Sequence, residues 1–386
     1  MKASNKSFQR QHNLALVARS IWKSEGISRV DISKDIELDK TSVSSIVSIL
    51  LDNNLVEVAN IGESMPKGGR KPINLRINKD FGYVLGINIQ PDKCKLAILC
   101  LDGSVVFKEE ILIRENLTLQ QIIELAMERV EADFSGLDKI LGCTLGIPGN
   151  IDTDNGIIIK SDPFKIVNES IDVNLTCKYN FPFLIENDAN CGAWGEIFFN
   201  KKKNGNFLFL LGELNKHYLV HNIEVGIGFG MGLVIDNKVY PGFNNQSGEF
   251  KSLFWRSKDD YQFGSEKAKK SFGRLQGVLT DEVLEELLLN FTPIISVLNP
   301  ERVVIGGDVK RYTDRITKLI DTEYQDCYFS EQFSGCKFVA SLFGEYDVAV
   351  GAACMFLEKL FRVPELLEAD SFCNISWGNI FSGFIE

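Results

Sequence analysis

Between Ser28 and Asn53 the chain reads Ser-Arg-Val-Asp-Ile-Ser-Lys-Asp-Ile-Glu-Leu-Asp-Lys-Thr-Ser-Val-Ser-Ser-Ile-Val-Ser-Ile-Leu-Leu-Asp-Asn. Val43, Ile46, Val47, Leu50 and Leu51 fall on one 3.6-residue stripe, with Ile49 off it. The opposite face carries Lys40, Thr41, Ser42, Ser44, Ser45 and Ser48. Such a helix packs one face on its own domain and offers the other, lined with small polar groups, to a DNA major groove. Ser28, followed three residues later by Asp31, forms a capping-box variant that starts the preceding helix. Ile32 and Ile36 are that helix's inner face, Leu38 plugs the turn, and Asp39 or Thr41 caps the next helix. The pattern predicts a helix-turn-helix.

Upstream, Leu14, Val17, Ala18, Ile21 and Trp22 keep helical spacing, which predicts a first helix over roughly Ser7 to Glu25, stopped by Gly26. Downstream, Leu55 to Ile61 reads as a strand, and Ile73, Leu75 and Ile77 alternate with polar residues in a second. The segment between them, Gly62 to Pro72, is a long basic tip in which Lys67, Arg70 and Lys71 can reach phosphates or a minor groove. Following a helix-turn-helix, this ribbon is expected to be a wing. Residues 1–80 hold 13 Lys+Arg against 9 Asp+Glu, whereas the rest holds 29 against 43, so a mildly basic module precedes an acidic body. The expected DNA contacts are Arg29, Lys40, Thr41, Ser42, Ser44, Ser45, Lys67, Arg70 and Lys71. The exposed face of the third helix has no Arg for bidentate contact to guanine. Discrimination therefore falls to Lys40, Thr41, Ser42 and Ser45, the wing tip, or DNA shape.

At 386 residues two or three domains are expected. A hydrophobic content of 45% with 24% charged residues is that of a globular protein with a sizeable core. No apolar run suffices for a membrane span and the first residues lack a signal-peptide core, so a cytoplasmic location is expected. The nine cysteines include no Cys-x-x-Cys pair, so neither a disulfide framework nor a zinc knuckle is indicated.

From Phe81 the pattern is α/β. Tyr83 to Ile89, Lys95 to Leu101 and Val105 to Glu109 are strands, Thr118 to Phe134 a helix, and Ile140 to Gly146 a buried strand ending in Ile-Pro-Gly-Asn150. Phe183 to Glu196 is an apolar strand ending in polar groups and running into a small-residue helix. Polar residues at a strand's carboxyl end are where α/β ligand sites lie. Asp188 there can accept a proton from a sugar hydroxyl or cap the helix. A second lobe begins near Phe207. Its run Glu224 to Gly232 has glycines at every second position, as close approach of a phosphate or another strand requires. Val234 to Tyr240 is a hairpin turning at Asp236-Asn237, Leu298 to Gly307 a helix end, buried strand and glycine pair, and Asp347 opens a last helix.

Ile147-Pro-Gly149, Glu186-Asn-Asp-Ala-Asn190, Gly248-Glu249, Asn299-Pro-Glu301 and Gly306-Gly307, with Gln11-His-Asn13 and Gly68-Gly-Arg-Lys-Pro72, resemble the ROK family, specifically its winged-helix branch of xylose- and N-acetylglucosamine-type repressors. The resemblance spans roughly Gln9 to Phe361. It implies an N-terminal winged helix-turn-helix (1–80) followed by a two-lobed, actin-like, ribonuclease-H-like body of the sugar-kinase type. The first α/β lobe would comprise 81–190 plus 350–386 and the second 191–349, with a sugar cleft between them. It also implies a homodimer or dimer of dimers on a palindromic operator. Asn150, Asn187, Asp188 and Glu249 match family sugar-contact positions, and Ser252 stands where members commonly carry a His that touches sugar and binds zinc. The family's Cys-x-Cys-Gly-x-x-Gly-Cys element is absent, and His217 and His221 have no further obvious ligand nearby, so no zinc is expected. ROK kinases carry Asp-x-Gly-Gly-Thr after the first strand. Here the stretch reads Asn88-Ile-Gln-Pro-Asp-Lys93, without glycine or leading carboxylate and with Pro91 removing a donor. No ATP use is expected, and Asp188 is a vestigial base. In the family an Arg is common at the position of Ser45, so the third helix shares DNA reading with the wing. The expected function is a sugar-responsive transcriptional regulator, a repressor of carbohydrate uptake or catabolism genes. The alternatives are a ROK sugar kinase carrying a winged helix and a ligand-independent DNA-binding scaffold.

Overall fold

The computed structural model describes residues 2–24, 26–61, 73–114, 116–171, 175, 178–200, 205–215, 226–256, 262–272, 278–323 and 335–364. Helix α1 (Lys2–Trp22) starts before the expected Ser7, since no breaker separates Lys2 from the apolar stripe. Its last turn closes where the Ser24 hydroxyl donates to the Ser20 carbonyl. Strand β1 (Ile27–Ser28) leads into α2 (Arg29–Asp35), whose N-cap is Ser28 accepting from the Asp31 amide. Helix α3 (Lys40–Asp52) is capped by Asp39, which accepts from the Ser42 amide at 2.8 Å. Strands β2 (Val56–Ile61) and β3 (Ile73–Ile77) pair antiparallel, with β1 added on the far side of β3. Val43, Ile46, Val47 and Leu50 of α3 are buried against Leu14, Val17, Ala18 and Ile21 of α1 and Ile32 of α2. The expected wing tip, with Lys67, Arg70 and Lys71, lies outside the described residues.

The body holds two five-stranded sheets of the same topology. In the first, β4 (Tyr83–Ile89), β5 (Lys93–Cys100) and β6 (Val105–Leu112) form an antiparallel meander. Helix α4 (Leu119–Asp133), held by a Thr118–Gln121 capping box, then crosses to β7 (Ile140–Ile147), parallel to β4. A small sheet of β8 (Asn150–Asp152), β9 (Ile157–Ser161) and β10 (Ile166–Ser170) precedes β11 (Phe183–Asn187), parallel to β7, and helix α5 (Asp188–Phe199). The second sheet repeats this order. Strands β12 (Phe207–Asn215), β13 (Gly226–Ile235) and β14 (Lys238–Val239) form the meander. After α6 (Glu266–Phe272) and α7 (Asp281–Leu298) come β15 (Arg302–Gly307), α8 (Thr313–Glu323), β16 (Lys337–Ala340) and α9 (Asp347–Leu360). The sheet orders are β6-β5-β4-β7-β11 and β14-β13-β12-β15-β16.

The helices that close the two repeats are exchanged. Helix α5 follows the first sheet yet packs on β12 and β13 of the second, while α9 follows the second sheet and packs on β4, β5 and β7 of the first. The expected lobe limits at 190/191 and 349/350 thus fall inside α5 and α9, because each helix belongs to both lobes. The two helices meet at small residues: a Cβ on Gly351 would stand 1.8 Å from the Cys191 carbonyl oxygen, and one on Gly195 3.3 Å from the Gly351 Cα. The alternating glycines of β13 serve the same packing, since a Cβ on Gly232 would stand 2.7 Å from the Ala189 carbonyl oxygen. Helix α5 is the element that approaches Gly230 and Gly232, and the Glu249 backbone also bridges to Gly230.

The N-terminal module is fused to this body. Trp22 stacks on Phe361 at 4.6 Å between centroids, meets Phe198 at 5.6 Å, and donates its indole N–H to the Leu101 carbonyl at 2.8 Å. Arg19 pairs with Glu358 at 3.2 Å and donates to the Phe361 carbonyl at 2.8 Å. The apolar core under α1 and α3 is therefore continuous with that of the first sheet and α9.

Gly351→Ala tests the packing of α5 on α9. Alanine gains about 1 kcal/mol of helix propensity, but its methyl collides with backbone, and overpacking costs about 1–3 kcal/mol when atoms must shift. The variant should lose up to about 2 kcal/mol net in urea denaturation; a stabilised protein would contradict the close approach.

Candidate functional site

Strand β11 is an apolar run that pairs with β7, so both end at the same edge of the first sheet. Asn187 caps α5 by accepting from the Asn190 amide at 3.0 Å, and its side-chain amide donates to the Gly149 carbonyl at 3.0 Å. Capping thus belongs to Asn187, which leaves the Asp188 carboxylate for the cleft. One Asp188 oxygen accepts from its neighbour's amide (Ala189, 2.9 Å) and the other from the Gln90 side chain at 3.3 Å. Burial pushes Asp188 up to about 7, reinforced by the charges of Glu213 and Glu249. Behind it Glu186 accepts from the Asn187 amide and the Asn190 side chain.

Glu249 approaches from the second lobe, held by a bridge between its backbone and Gly230. Burial and the nearby charge of Asp162 raise its pKa. Asn150 sits beside the Gly149 that receives Asn187. Asn150 Oδ1, Asn190 Oδ1, Asn88 Nδ2 and Gln90 Oε1 are buried without a hydrogen-bond partner among the described residues. Native proteins satisfy nearly all such atoms. Two carboxylates and several amides at one sheet edge offer the acceptors and donors that vicinal hydroxyls need.

At the β4–β5 hairpin, Gln90 and Lys93 close a two-residue turn over Pro91 and Asp92, the Gln90 amide donating to the Lys93 carbonyl at 2.9 Å. The Gln90 side chain bridges Asn88 and Asp188. Lys93 reaches across the cleft to Glu213 on β12 at 2.8 Å and Asp308 after β15 at 3.1 Å. Burial opposes the ammonium charge, but the two carboxylates outweigh it and hold Lys93 above the ordinary lysine value. Asp308 is correspondingly lowered despite its burial, helped by the Leu214 amide, whereas for the more buried Glu213 desolvation exceeds the pull of Lys93 and its pKa is raised. Neither Gln90 nor this ion cluster was expected. The alternation of Lys93 and Lys95 with apolar residues resembles a solvated face, and the one readable signal was Glu213 inside the apolar run Phe207 to Leu214.

Ser252 is held in a buried polar cluster of the second lobe. Its hydroxyl donates to Glu286 and accepts from the Asn290 side chain at 3.2 Å, while Glu286 also accepts from the amides of Gly264 and Ser265. This buried cluster secures the segment where the resemblance would put zinc ligands. Among the described residues no group of three or more His, Cys, Asp and Glu could hold a metal ion, and His217 and His221 lie outside them. On the N-terminal module Arg29, Lys40, Thr41 and Ser45 are exposed and Ser42 and Ser44 half-buried.

Residues 84–251 match the ROK family. This stretch is a ROK domain. The xylose repressor of Caldicellulosiruptor bescii is 25% identical over 409 residues, covering 94% of this chain and 99% of its own. A solved ROK family transcriptional regulator, a homolog of the E. coli Mlc protein, superposes with a TM-score of 0.70 at 17% identity over 98% of this chain and 99% of its own. The ROK family glucokinase from Streptomyces griseus, solved with glucose and AMPPNP, superposes with a TM-score of 0.54 at 17% identity, 71% of this chain accommodating 99% of it. The body therefore has the two-lobed fold of ROK proteins, kinases included. No helix among the described residues is long and apolar enough to cross a membrane.

Two variants probe the ROK cleft. The fold raises Asp188 above its unfolded value, so its contribution to stability is full below the unfolded carboxylate value near 3.8 and is lost as pH rises toward 7. Asp188→Asn does not titrate; its melting temperature relative to the native protein should climb between pH 5 and pH 8, and a pH-independent difference would refute the burial argument. Lys93→Met leaves Glu213 and Asp308 facing each other without the cation between them. Breaking a buried pair costs about 3–5 kcal/mol, so the urea midpoint should fall markedly, and a loss under about 1 kcal/mol would show that the cluster is solvated.

Proposed function

We propose that this chain is a sugar-responsive DNA-binding transcriptional repressor without efficient kinase activity. The observation that carries this reading is the pairing of a ligand-type cleft edge with a phosphate position filled from within. Asn150, Asn187, Asp188 and Glu249 keep acceptors and donors for a sugar. Gln90 and Lys93, in the stretch where ROK kinases bind phosphate, bond to Asp188, Glu213 and Asp308 instead. Ser252 is committed to Glu286 and Asn290, which leaves recognition to the other four and to Gln90. Xylose, the sugar in the names of the full-length relatives, is the first candidate ligand.

The N-terminal module, with α2, a turn, α3 and the β2–β3 ribbon, is in this reading a winged helix-turn-helix that binds an operator, and a homodimer would present two of them. Sugar binding changes the angle of the lobes because α5 and α9 both cross the cleft. Helix α9 carries that change from Asp347 beside the cleft to Phe361, which stacks on Trp22 of α1. Ligand and DNA then favour different arrangements of one connected body, which couples their affinities reciprocally. Asp188, buried and held near 7, favours a second reading as kinase base, since a general base is most useful near the working pH.

Fluorescence anisotropy with a duplex from the chain's own upstream region, titrated with D-xylose and a panel of pentoses and hexoses, tests both. We expect salt-sensitive, sequence-preferring binding that weakens by about 10-fold or more with one sugar, a coupling of roughly 1.4 kcal/mol. Sugar-dependent ADP release above about 1 per second would establish the kinase instead.

A further inference from the structure

The exposed side of α3 carries few cations. Its only charged residues are Lys40, at its first position, and Asp52, at its last. A duplex presents one negative charge per ~1.7 Å of axis, and most of the affinity of such modules comes from neutralising it. The structure supplies a cation from another helix. Beside α3 lies a groove of about 380 Å³, walled by Gln9, Arg10 and Asn13 of α1 and by Ser42, Ser45 and Ile49 of α3. None of its lining residues is acidic. Gln9, Arg10 and Ser45 are exposed and Asn13 and Ser42 half-buried, so the rim is a row of hydrogen-bond donors open to solvent.

The helical period places this groove relative to bases. Val43, Ile46, Val47 and Leu50 are buried, which turns Thr41, Ser45 and Ser48 directly outward and sets Ser42 and Ile49 on the flank toward α1. If the outward row enters a major groove, its flanks stand over the phosphate ridges, where the helix packed against a recognition helix crosses the backbone.

We infer that the DNA surface extends from α3 onto α1, with Arg10 contacting a backbone phosphate of the duplex and Gln9 and Asn13 donating beside it. This rests on the repressor reading of the module. The occupant is the phosphodiester backbone of double-stranded DNA, because among the described residues the groove is lined by a guanidinium and neutral donors, with no carboxylate among them. Arg10 thereby provides, from outside the recognition helix, the arginine that α3 lacks, as a phosphate contact rather than a base contact.

The test is anisotropy of the full chain on its own upstream duplex and on a scrambled duplex, at several salt concentrations. Arg10→Ala should weaken binding to both duplexes about equally, by roughly 5- to 10-fold, and reduce the slope of log affinity against log salt by about 0.9. Arg10→Lys keeps the charge and should keep the slope. Ser45→Ala should change the preference between duplexes and leave the slope alone. Equal melting temperatures for the three variants and the native protein confirm that folding is not being read; if Arg10→Ala melts early, Arg10→Gln takes its place. Native-like affinity and slope in an Arg10 variant without the charge, while the native chain binds, overturns this assignment alone. Failure of the native chain to bind either duplex in a salt-sensitive way overturns the repressor reading itself. A phosphate-bearing duplex that binds equally well after charge removal, with a lower oligomeric state in solution, would make the groove a contact between copies of the chain and also overturn the assignment.

Discussion

The contact of α5 with α9 is the constraint on which the rest of the body depends. Gly351, Gly195 and Cys191 let two backbones touch where any larger residue would separate them. Each helix is the last element of one repeat and lies on the sheet of the other, so neither lobe completes its core alone. Val348, Ala349, Val350, Ala352 and Ala353 of α9 are buried on every side. A helix hydrophobic all round belongs inside a protein, and here the inside is the seam between lobes. The same geometry puts Asp188 and Asp347 at the first residues of the two helices, both pushed up to about 7 by burial. A helix N-terminus favours a carboxylate by about 0.3–1 kcal/mol, which is too little to offset desolvation of this degree.

Around that seam the cleft holds buried polar groups and an internal cation. Transfer of a phosphoryl group needs a loop whose backbone amides face phosphates. In this chain the turn is closed on itself by Gln90 and Lys93, and the Lys93 ammonium is neutralised by Glu213 and Asp308. The lobes are thus joined electrostatically across the position where the resemblance would place a nucleotide's phosphates. A buried ion cluster of this kind adds little net stability against an apolar replacement but is costly to break, which suits a device for setting the geometry of two bodies.

The N-terminal module is a continuation of the same core. Trp22 lies between Phe361 and Phe198, the residues immediately after α9 and near the end of α5. Displacement of either helix therefore reaches α1, and through Ala18, Ile21, Val43 and Val47 it reaches α3. Interfaces packed at this density shift between discrete arrangements instead of deforming smoothly. This gives the proposed coupling a physical route through named contacts.

Local elements were legible because their signals are local. The period of Val43, Ile46, Val47 and Leu50, the Ser28 and Asp39 caps, the Thr118 cap and the apolar run at Ile140 needed only neighbours in the chain. Asp188 was legible as a polar group at a strand's end, although its cap role passed to Asn187. Gln90, Lys93, Glu213 and Asp308 were not, because an ion cluster joining residues more than two hundred positions apart leaves no periodic trace, and a lysine alternating with apolar residues reads the same whether solvated or neutralised. The glycines of β13 announced a close approach without naming the helix that makes it. The sequence alone determined a helix-turn-helix pattern, an α/β body and a glycine-free stretch from Asn88 to Lys93. Only the tertiary structure decided that the body is two copies of one topology with exchanged helices, that the Lys93 cation is buried between Glu213 and Asp308, and that Arg10 stands beside α3, since each depends on which distant surfaces desolvate together.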